Sequence, residues 1–179
     1  MSALSETRVD PAGRAIAIRK AVAGDIPIIL RFIRELATYE KLLDEVEANE
    51  DRLTRTLFPA GGGPPVAHVL IGELDGRPQG FAVYFFNYST FLAKEGIYLE
   101  DLFVMPDCRG NGLGRALLLY LAALAVSRGC GRMDWSVLDW NSPSIEFYRG
   151  LGAVPLGDWT TFRLTAAALD KFGRQGNPT

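Results

Sequence analysis

The stretch YLEDLFVMPDCRGNGLGRA, residues 98–116, decides how the rest of the chain is read. Tyr98, Leu99, Leu102, Phe103, Val104 and Met105 form a nearly continuous apolar run, the pattern of a strand covered on both faces. Glu100 and Asp101 interrupt it. Pro106 cannot donate to a ladder and ends the strand. Arg109-Gly110-Asn111-Gly112-Leu113-Gly114 follows, and helical periodicity begins at Leu113. A strand that feeds glycines into a helix start makes an anion site. The first helical amides lack intrachain partners, the helix dipole is positive there, and glycines let an oxyanion approach the backbone. The stretch therefore implies a phosphate-bearing cofactor.

Spacing narrows the choice. A triphosphate-cradling loop needs Gly-Lys-Ser/Thr at its end, whereas Gly114 is followed by Arg115 and Ala116. A dinucleotide fingerprint counted from Gly110 and Gly112 needs a third glycine where Arg115 stands. Asp134 lies about where a ribose-binding acid would be, which leaves that reading open. What matches is Arg-x-x-Gly-x-Gly, a signature that resembles the loop of the GCN5-related N-acetyltransferases, which wrap the pyrophosphate of coenzyme A.

Outward from this stretch, the chain of 179 residues is 48% hydrophobic, enough for one sizeable core. A formal net charge of -2 argues against a nucleic-acid or acidic-membrane partner. Two cysteines, Cys108 and Cys130, and one histidine, His68, exclude a disulfide framework and give no metal site. Met1 to Gly13 has no apolar core and is not a signal peptide. No apolar run approaches the roughly twenty residues that span a bilayer. A cytoplasmic chain is expected.

Residues 1–14 read as a disordered lead-in, 15–173 as a single domain and 174–179 as a C-terminal tail. Ala15 to Arg19 is a short strand. Asp25 to Tyr39 carries Ile26, Ile29, Leu30, Ile33, Leu36 and Ala37 at helical spacing, with Pro27 in the first turn. An acidic link, Glu40 to Asp51, leads to a short helix ending near Phe58. Val66 to Leu74 and Gln79 to Tyr88 are strands joined by an Asp75-Gly76 hairpin turn. The helix opened by Leu113 runs to Ser127 and is capped by Gly129. Arg132 to Leu138 is a strand and Asn141 to Gly150 a helix. Trp159 to Leu164 is a last strand and Ala166 to Phe172 a last helix. Hairpins first and strand–helix–strand later predict an α/β (α+β) fold with a mixed sheet and helices on both faces.

Four separated segments carry a wider resemblance: ELATYE at 35–40, YLEDLFVM at 98–105, RGNGLG at 109–114 and WNSPSIEFY at 140–148. From Ile16 to Phe172 the chain resembles the GCN5-related N-acetyltransferases, nearest to the diamine branch typified by spermidine/spermine acetyltransferase. The resemblance implies a central sheet whose strands splay apart. The pantetheine of acetyl-CoA would pair with backbone around Phe103, Val104 and Met105, where a bulge commonly sits. The pyrophosphate would rest on Arg109, Gly110, Asn111, Gly112, Leu113, Gly114 and Arg115. Asn141 and Ser144 match cofactor-contacting positions, although simple helix capping explains them equally well.

Acyl transfer to an amine must remove a proton from an alkylammonium with pKa near 10, stabilise an oxyanion and help a thiolate leave. By the resemblance, Tyr148 is the general acid to the thiolate; without the motif it would read as a core aromatic beside Phe147. Glu100 would take the amine proton through water, and Asp101 would help bind the cationic substrate. Adjacent strand residues point to opposite faces, so these two share a surface only where the strand is bulged or twisted. An acid inside a strand is otherwise a buried ion-pair member. Tyr39 and Glu40 match positions lining a polyamine groove, while Glu45 and Glu47 read as surface charge. Cys108 precedes the phosphate loop, but His68 is its only possible imidazole partner and the family transfers directly, so Cys108 is a bystander.

The expected activity is direct acetyl transfer from acetyl-CoA to the primary amine of a small diamine- or polyamine-like cation. The first alternative is an amino-acid-like amine such as thialysine or lysine, which would need a cation for its carboxylate; Arg34, Arg52 and Lys94 are candidates. A non-catalytic coenzyme-A sensor would keep residues 109–114 and lose the acid/base groups, and a protein-lysine acetyltransferase is a further alternative. No metal is expected. The family usually dimerises, and the stretch Tyr84 to Phe91 is a candidate edge surface for a homodimer.

Overall fold

The computed structural model describes residues 8–176. Among them, one six-stranded sheet runs in sequence order: β1 (Arg8–Val9), β2 (Ala15–Lys20), β3 (His68–Leu74), β4 (Arg77–Ser89), β5 (Lys94–Val104) and β6 (Met133–Trp135). The first five are antiparallel neighbours and β6 joins β5 in parallel. The mixed sheet expected from the order of patterns is thus present. The chain divides after Ser136 into two compact units, at a point where the sequence carries no boundary signal.

In the first unit, helices cover both sides of the sheet. On one side α1 (Ile26–Glu40) places Ile29 and Phe32 over the cross-strand row Ile71, Phe81 and Phe103. The Phe32 ring centroid lies 5.5 Å from that of Phe81 and 6.3 Å from that of Phe103. These residues are almost wholly buried, so the aromatic row anchors α1 through apolar burial and ring packing. The α2 helix (Glu50–Leu57) adds Leu53 and Leu57 to the same cluster, and Asn49 caps it by accepting from the Arg52 amide at 2.9 Å. On the other side α3 (Leu113–Ser127) sets Leu113 and Ala116 against Ile16 and Leu74. Gly72 permits that approach: a Cβ there would come within 3.0 Å of Leu113 Cδ1.

Arg19 fixes the entry into α1. Its Nη1 donates to Asp25 at 2.7 Å and its Nε to Glu73 at 2.8 Å, tying β2, β3 and the helix start together. The guanidinium holds the Asp25 carboxyl below its usual range. Pro27 stands in the first turn of α1, as its missing N–H allows. The Asp75-Gly76 turn has positive φ at both positions, 49° and 71°, which twists β3 and β4 as a hairpin requires.

Several expectations change. The lead-in drawn over residues 1–14 is structured from Arg8, because β1 pairs with β2 and Asp10 folds the turn between them. The buried Asp10 accepts from the Ala12 and Arg14 amides at 2.9 and 2.8 Å. Residues 1–7 of that call lie outside the described residues, as do residues 177–179 of the tail. In the stretch Tyr84 to Phe91, Tyr84 is buried and pairs with both β3 and β5, but the β3 ladder ends there, so Phe85 to Ser89 have a ladder partner among the described residues only on the β5 side and leave an edge on the other. Its exposed side chains lie at its far end, at the β4–β5 turn: Tyr88, Thr90 and Phe91, with Leu92 just beyond.

In the second unit, α4 (Ser142–Gly150) has Asn141 as its cap and Pro143 in its first turn, and α5 (Ala166–Gly173) follows. The strand expected over Trp159 to Leu164 does not form; those residues have no ladder partner and lie exposed. β-propensity expresses a fit to a pleated, half-buried surface, and this segment is given none.

Candidate active site

The β5 strand shapes the site through two breaks in its pairing. Its parallel ladder with β6 runs through Ile97↔Met133, Tyr98↔Asp134 and Leu99↔Trp135 and stops there. From Glu100 to Val104, β5 has a described neighbour only on the β4 side. This is the parting of central strands that the sequence resemblance implied.

The second break lies at the same level. Register with β4 passes from Val83↔Asp101 directly to Tyr84↔Leu99, so Glu100 is an extra residue, a β-bulge. Its consequence follows from alternation. Leu99 opposes Tyr84 on the α3 side, so Glu100 turns to the α1 side; Asp101 opposes Val83, which packs into the α1-side cluster. Two adjacent acids are thereby presented to one face. The bulge falls at Glu100, a few residues before the Phe103 to Met105 segment where the family pattern suggested it.

Charge accumulates there. The Asp101 carboxyl is pushed up to about 6, first by burial and then by the negative charges of Glu100 and Glu40. Burial also raises Glu40. Glu40 is the last residue of α1, where the helix dipole adds to the cost of an anion. Glu100 itself is exposed. Carboxylates from two elements, Glu100 on β5 and Glu40 on α1, therefore both act on Asp101, and Tyr39 stands beside Glu40 at the end of α1. A desolvated carboxyl with other acids beside it is a favourable place for a cation to sit.

Downstream, Phe103 is committed to the core with Phe32 and Phe81, and Val104 packs on the α3 side. Met105 donates its amide to the Gln79 carbonyl at 2.8 Å. The loop then opens. Gly110 and Gly112 have φ of 76° and 85°, and nothing lies within 4 Å of the position a Cβ would take at Gly110. The first bond closing onto the helix start is from the Ala116 amide to the Gly112 carbonyl at 2.9 Å. The amides from Gly110 to Arg115 donate to nothing among the described residues. A row of free N–H groups at the start of a fifteen-residue helix fits a pyrophosphate. Asn111 steadies the loop by donating its Nδ2 to the Cys108 and Arg109 carbonyls at 3.3 and 3.2 Å.

The structure thus assembles Glu100, Asp101, Glu40, Tyr39 and the 103–115 segment within the first unit. Tyr148, Asn141 and Ser144 gather on α4 of the second. There Asn141 is buried, and its Oδ1 accepts from the Ser144 amide at 3.4 Å, the capping role that either reading allowed. The Phe147 and Tyr148 ring centroids lie 5.3 Å apart. Of the candidate carboxylate partners, Arg52 is engaged by Glu47 at 2.7 Å, and Arg34 and Lys94 are exposed. Arg109, which the sequence assigns to the phosphate loop, donates its Nε back to the Val104 carbonyl at 3.0 Å, a contact that no local sequence signal announces. No helix among the described residues is long and apolar enough to cross a membrane.

Known proteins resemble this chain over most of its length. Residues 32–153 match the acetyltransferase (GNAT) family. Among curated relatives, a thialysine N-epsilon-acetyltransferase of Bos taurus is 39% identical over 165 residues, spanning 86% of this chain and 95% of that protein. An L-ornithine N5-acetyltransferase of Arabidopsis thaliana is 31% identical, over 88% of this chain and 87% of that protein. A spermidine/spermine N(1)-acetyltransferase-like protein of Homo sapiens is 36% identical over 85% of this chain and 23% of its own length. Among solved structures, an integron cassette protein from the mobile metagenome of V.cholerae superposes with a TM-score of 0.72 at 25% identity, covering 89% of this chain and 98% of that one. The chain belongs to the acetyltransferase (GNAT) family, and it is an N-acetyltransferase that uses acetyl-CoA as co-substrate.

Proposed function

We propose that the acceptor is the terminal primary amine of a short aliphatic chain on an amino-acid-like molecule of the thialysine or ornithine class. The observation that carries the cationic part of this reading is the bulge at Glu100, which turns Glu100 and Asp101 to one face beside Glu40. The amino-acid part is supported by the relatives named for thialysine and ornithine. A diamine or polyamine acceptor is the second reading, favoured by the fact that both charges acting on Asp101 are acidic.

Acetyl-CoA supplies an activated acetyl thioester. The free amides from Gly110 to Arg115 would hold its pyrophosphate, and the backbone of Phe103 to Met105, on the stretch of β5 that β6 leaves, its pantetheine arm. Asn141 and Ser144 add contacts from α4. Glu100, exposed and therefore able to pass a proton to water, accepts the proton that an ammonium must lose before its nitrogen can attack. Asp101, Glu40 and Tyr39 hold the cation. The nitrogen–carbon bond forms as the carbon–sulfur bond breaks, the Tyr148 phenol donates its proton to the departing thiolate, and the second proton shed by the new amide nitrogen returns to the phenolate through water. Residues 15–173 act as one acetyltransferase domain in this reading, and the protein works as a homodimer in the cytoplasm.

The test is thiol release from acetyl-CoA across thialysine, ornithine, lysine, putrescine, spermidine and an N-terminal peptide, run beside Tyr148→Phe. Turnover concentrated on thialysine or ornithine and reduced about 100-fold or more in Tyr148→Phe is expected, the usual scale of a positioned acid. Turnover confined to spermidine or putrescine would replace the acceptor. An unchanged rate in Tyr148→Phe would remove that residue from the chemistry.

A further inference from the structure

Arg109 opens the phosphate loop, and its five N–H donors would suit an anion. Its side chain turns the other way. Nε donates to the Val104 carbonyl at 3.0 Å, and the guanidinium carbon sits 4.4 Å from the Tyr39 ring centroid and 5.6 Å from that of Phe103. One side chain thus joins the last residue of β5, the entry to the glycine loop and the penultimate residue of α1. The next residue of α1 is Glu40, one of the acids acting on Asp101.

We propose that Arg109 and Tyr39 are a positioning couple, through which the acceptor end of α1 holds the cofactor loop in its binding form. The physical need is entropic. Gly110 and Gly112 adopt positive φ without cost and visit many other conformations as readily, so the loop loses freedom when it closes on a pyrophosphate. Clamping Arg109, immediately before the first glycine, removes part of that freedom beforehand. The clamp is anchored on an aromatic face, where a planar guanidinium stacks and an ammonium does not. Its effect is reciprocal: what Tyr39 lends to cofactor binding, bound cofactor returns as order at Tyr39 and Glu40. This inference rests on the reading that the Gly110 to Arg115 amides hold the pyrophosphate.

The experiment is calorimetric binding of coenzyme A, with no amine present, to the wild type, Tyr39→Leu, Tyr39→Phe, Arg109→Ala and the Arg109→Ala/Tyr39→Leu double variant. Melting curves verify that each is folded. Tyr39→Leu should weaken binding about five-fold, within the range of a partly exposed cation–π contact, while Tyr39→Phe stays within about two-fold of wild type. In the Arg109→Ala background, Tyr39→Leu should cost nothing further. Unchanged coenzyme A affinity in Tyr39→Leu, with only the amine KM raised, overturns the couple and leaves the cofactor site standing. Equal losses in Tyr39→Phe and Tyr39→Leu, or losses that add in the double variant, overturn it too. A wild type that binds no coenzyme A refutes the pyrophosphate reading itself, and the couple with it.

Discussion

In the proposed reading Asp101 has two roles at once, a component of a folded sheet and part of the site that holds the amine cation. Burial and two neighbouring acids raise its carboxyl from 3.8 to about 6. A carboxyl whose folded pKa lies above its unfolded value stabilises the fold only while protonated. That contribution is complete below pH 4 and is lost as pH rises through 6, which amounts to about 3 kcal/mol for a shift of this size. Asp101→Asn should therefore raise stability at pH 8 by about 2 kcal/mol in urea unfolding, with little gain at pH 4. The same change should raise the amine KM at pH 8. In the wild type, KM for a cationic amine should climb as pH falls from 7 to 5, because protonation removes the charge that holds it. A variant that is no more stable at pH 8 than the wild type would show that Asp101 carries no such penalty. The sequence makes the adjacency of Glu100 and Asp101 conspicuous but not its outcome. Which face each acid takes depends on the register with β4, a property of two strands that neither contains alone.

At the scale of elements, the chain is legible where its signals are local. The Asp75-Gly76 turn, the Pro27 first turn, the Asn141 cap and the glycines before Leu113 all specify backbone geometry within a few residues. The strand expected at Trp159 to Leu164 fails for the opposite reason, since a strand exists only with a partner. Gly112 shows how tight a local requirement can be. It caps α3 at φ 85°, and the nearest atom to an added Cβ would be Ile16 Cδ1 at 3.8 Å, an ordinary contact. Gly112→Ala should thus act through backbone strain rather than collision. The expected cost is about 1 kcal/mol of stability, or about 2–4 °C in Tm, with a clear loss of coenzyme A affinity because the amide row is re-aimed. A fully stable variant that binds coenzyme A as the wild type does would mean that the left-handed turn is dispensable.

For the whole molecule, the unusual feature is where apolar surface remains. Phe91 is 96% exposed and Phe162 90%, and Tyr88, Leu92, Trp159 and Leu164 are also open to solvent. Single exposed apolar residues are ordinary, but two groups of aromatic residues, at the β4–β5 turn and in a segment of strand-like sequence without a partner, suit a covered surface. The homodimer proposed above would supply one. A second copy could bury these side chains and pair the free backbone of residues 159–164, and closed two-fold association is the commonest arrangement of soluble oligomers. Sedimentation equilibrium at micromolar concentration should return about twice the 19.6 kDa chain mass. Phe91→Asp combined with Phe162→Asp should return the chain mass, since each places a charge where an apolar contact is required. A wild type that sediments as a monomer, or a double variant that remains a dimer, would move the interface elsewhere or remove it. Residues 159–164 read as a strand because their composition is that of one, and in the proposed dimer a second chain would be the partner that lets them become it.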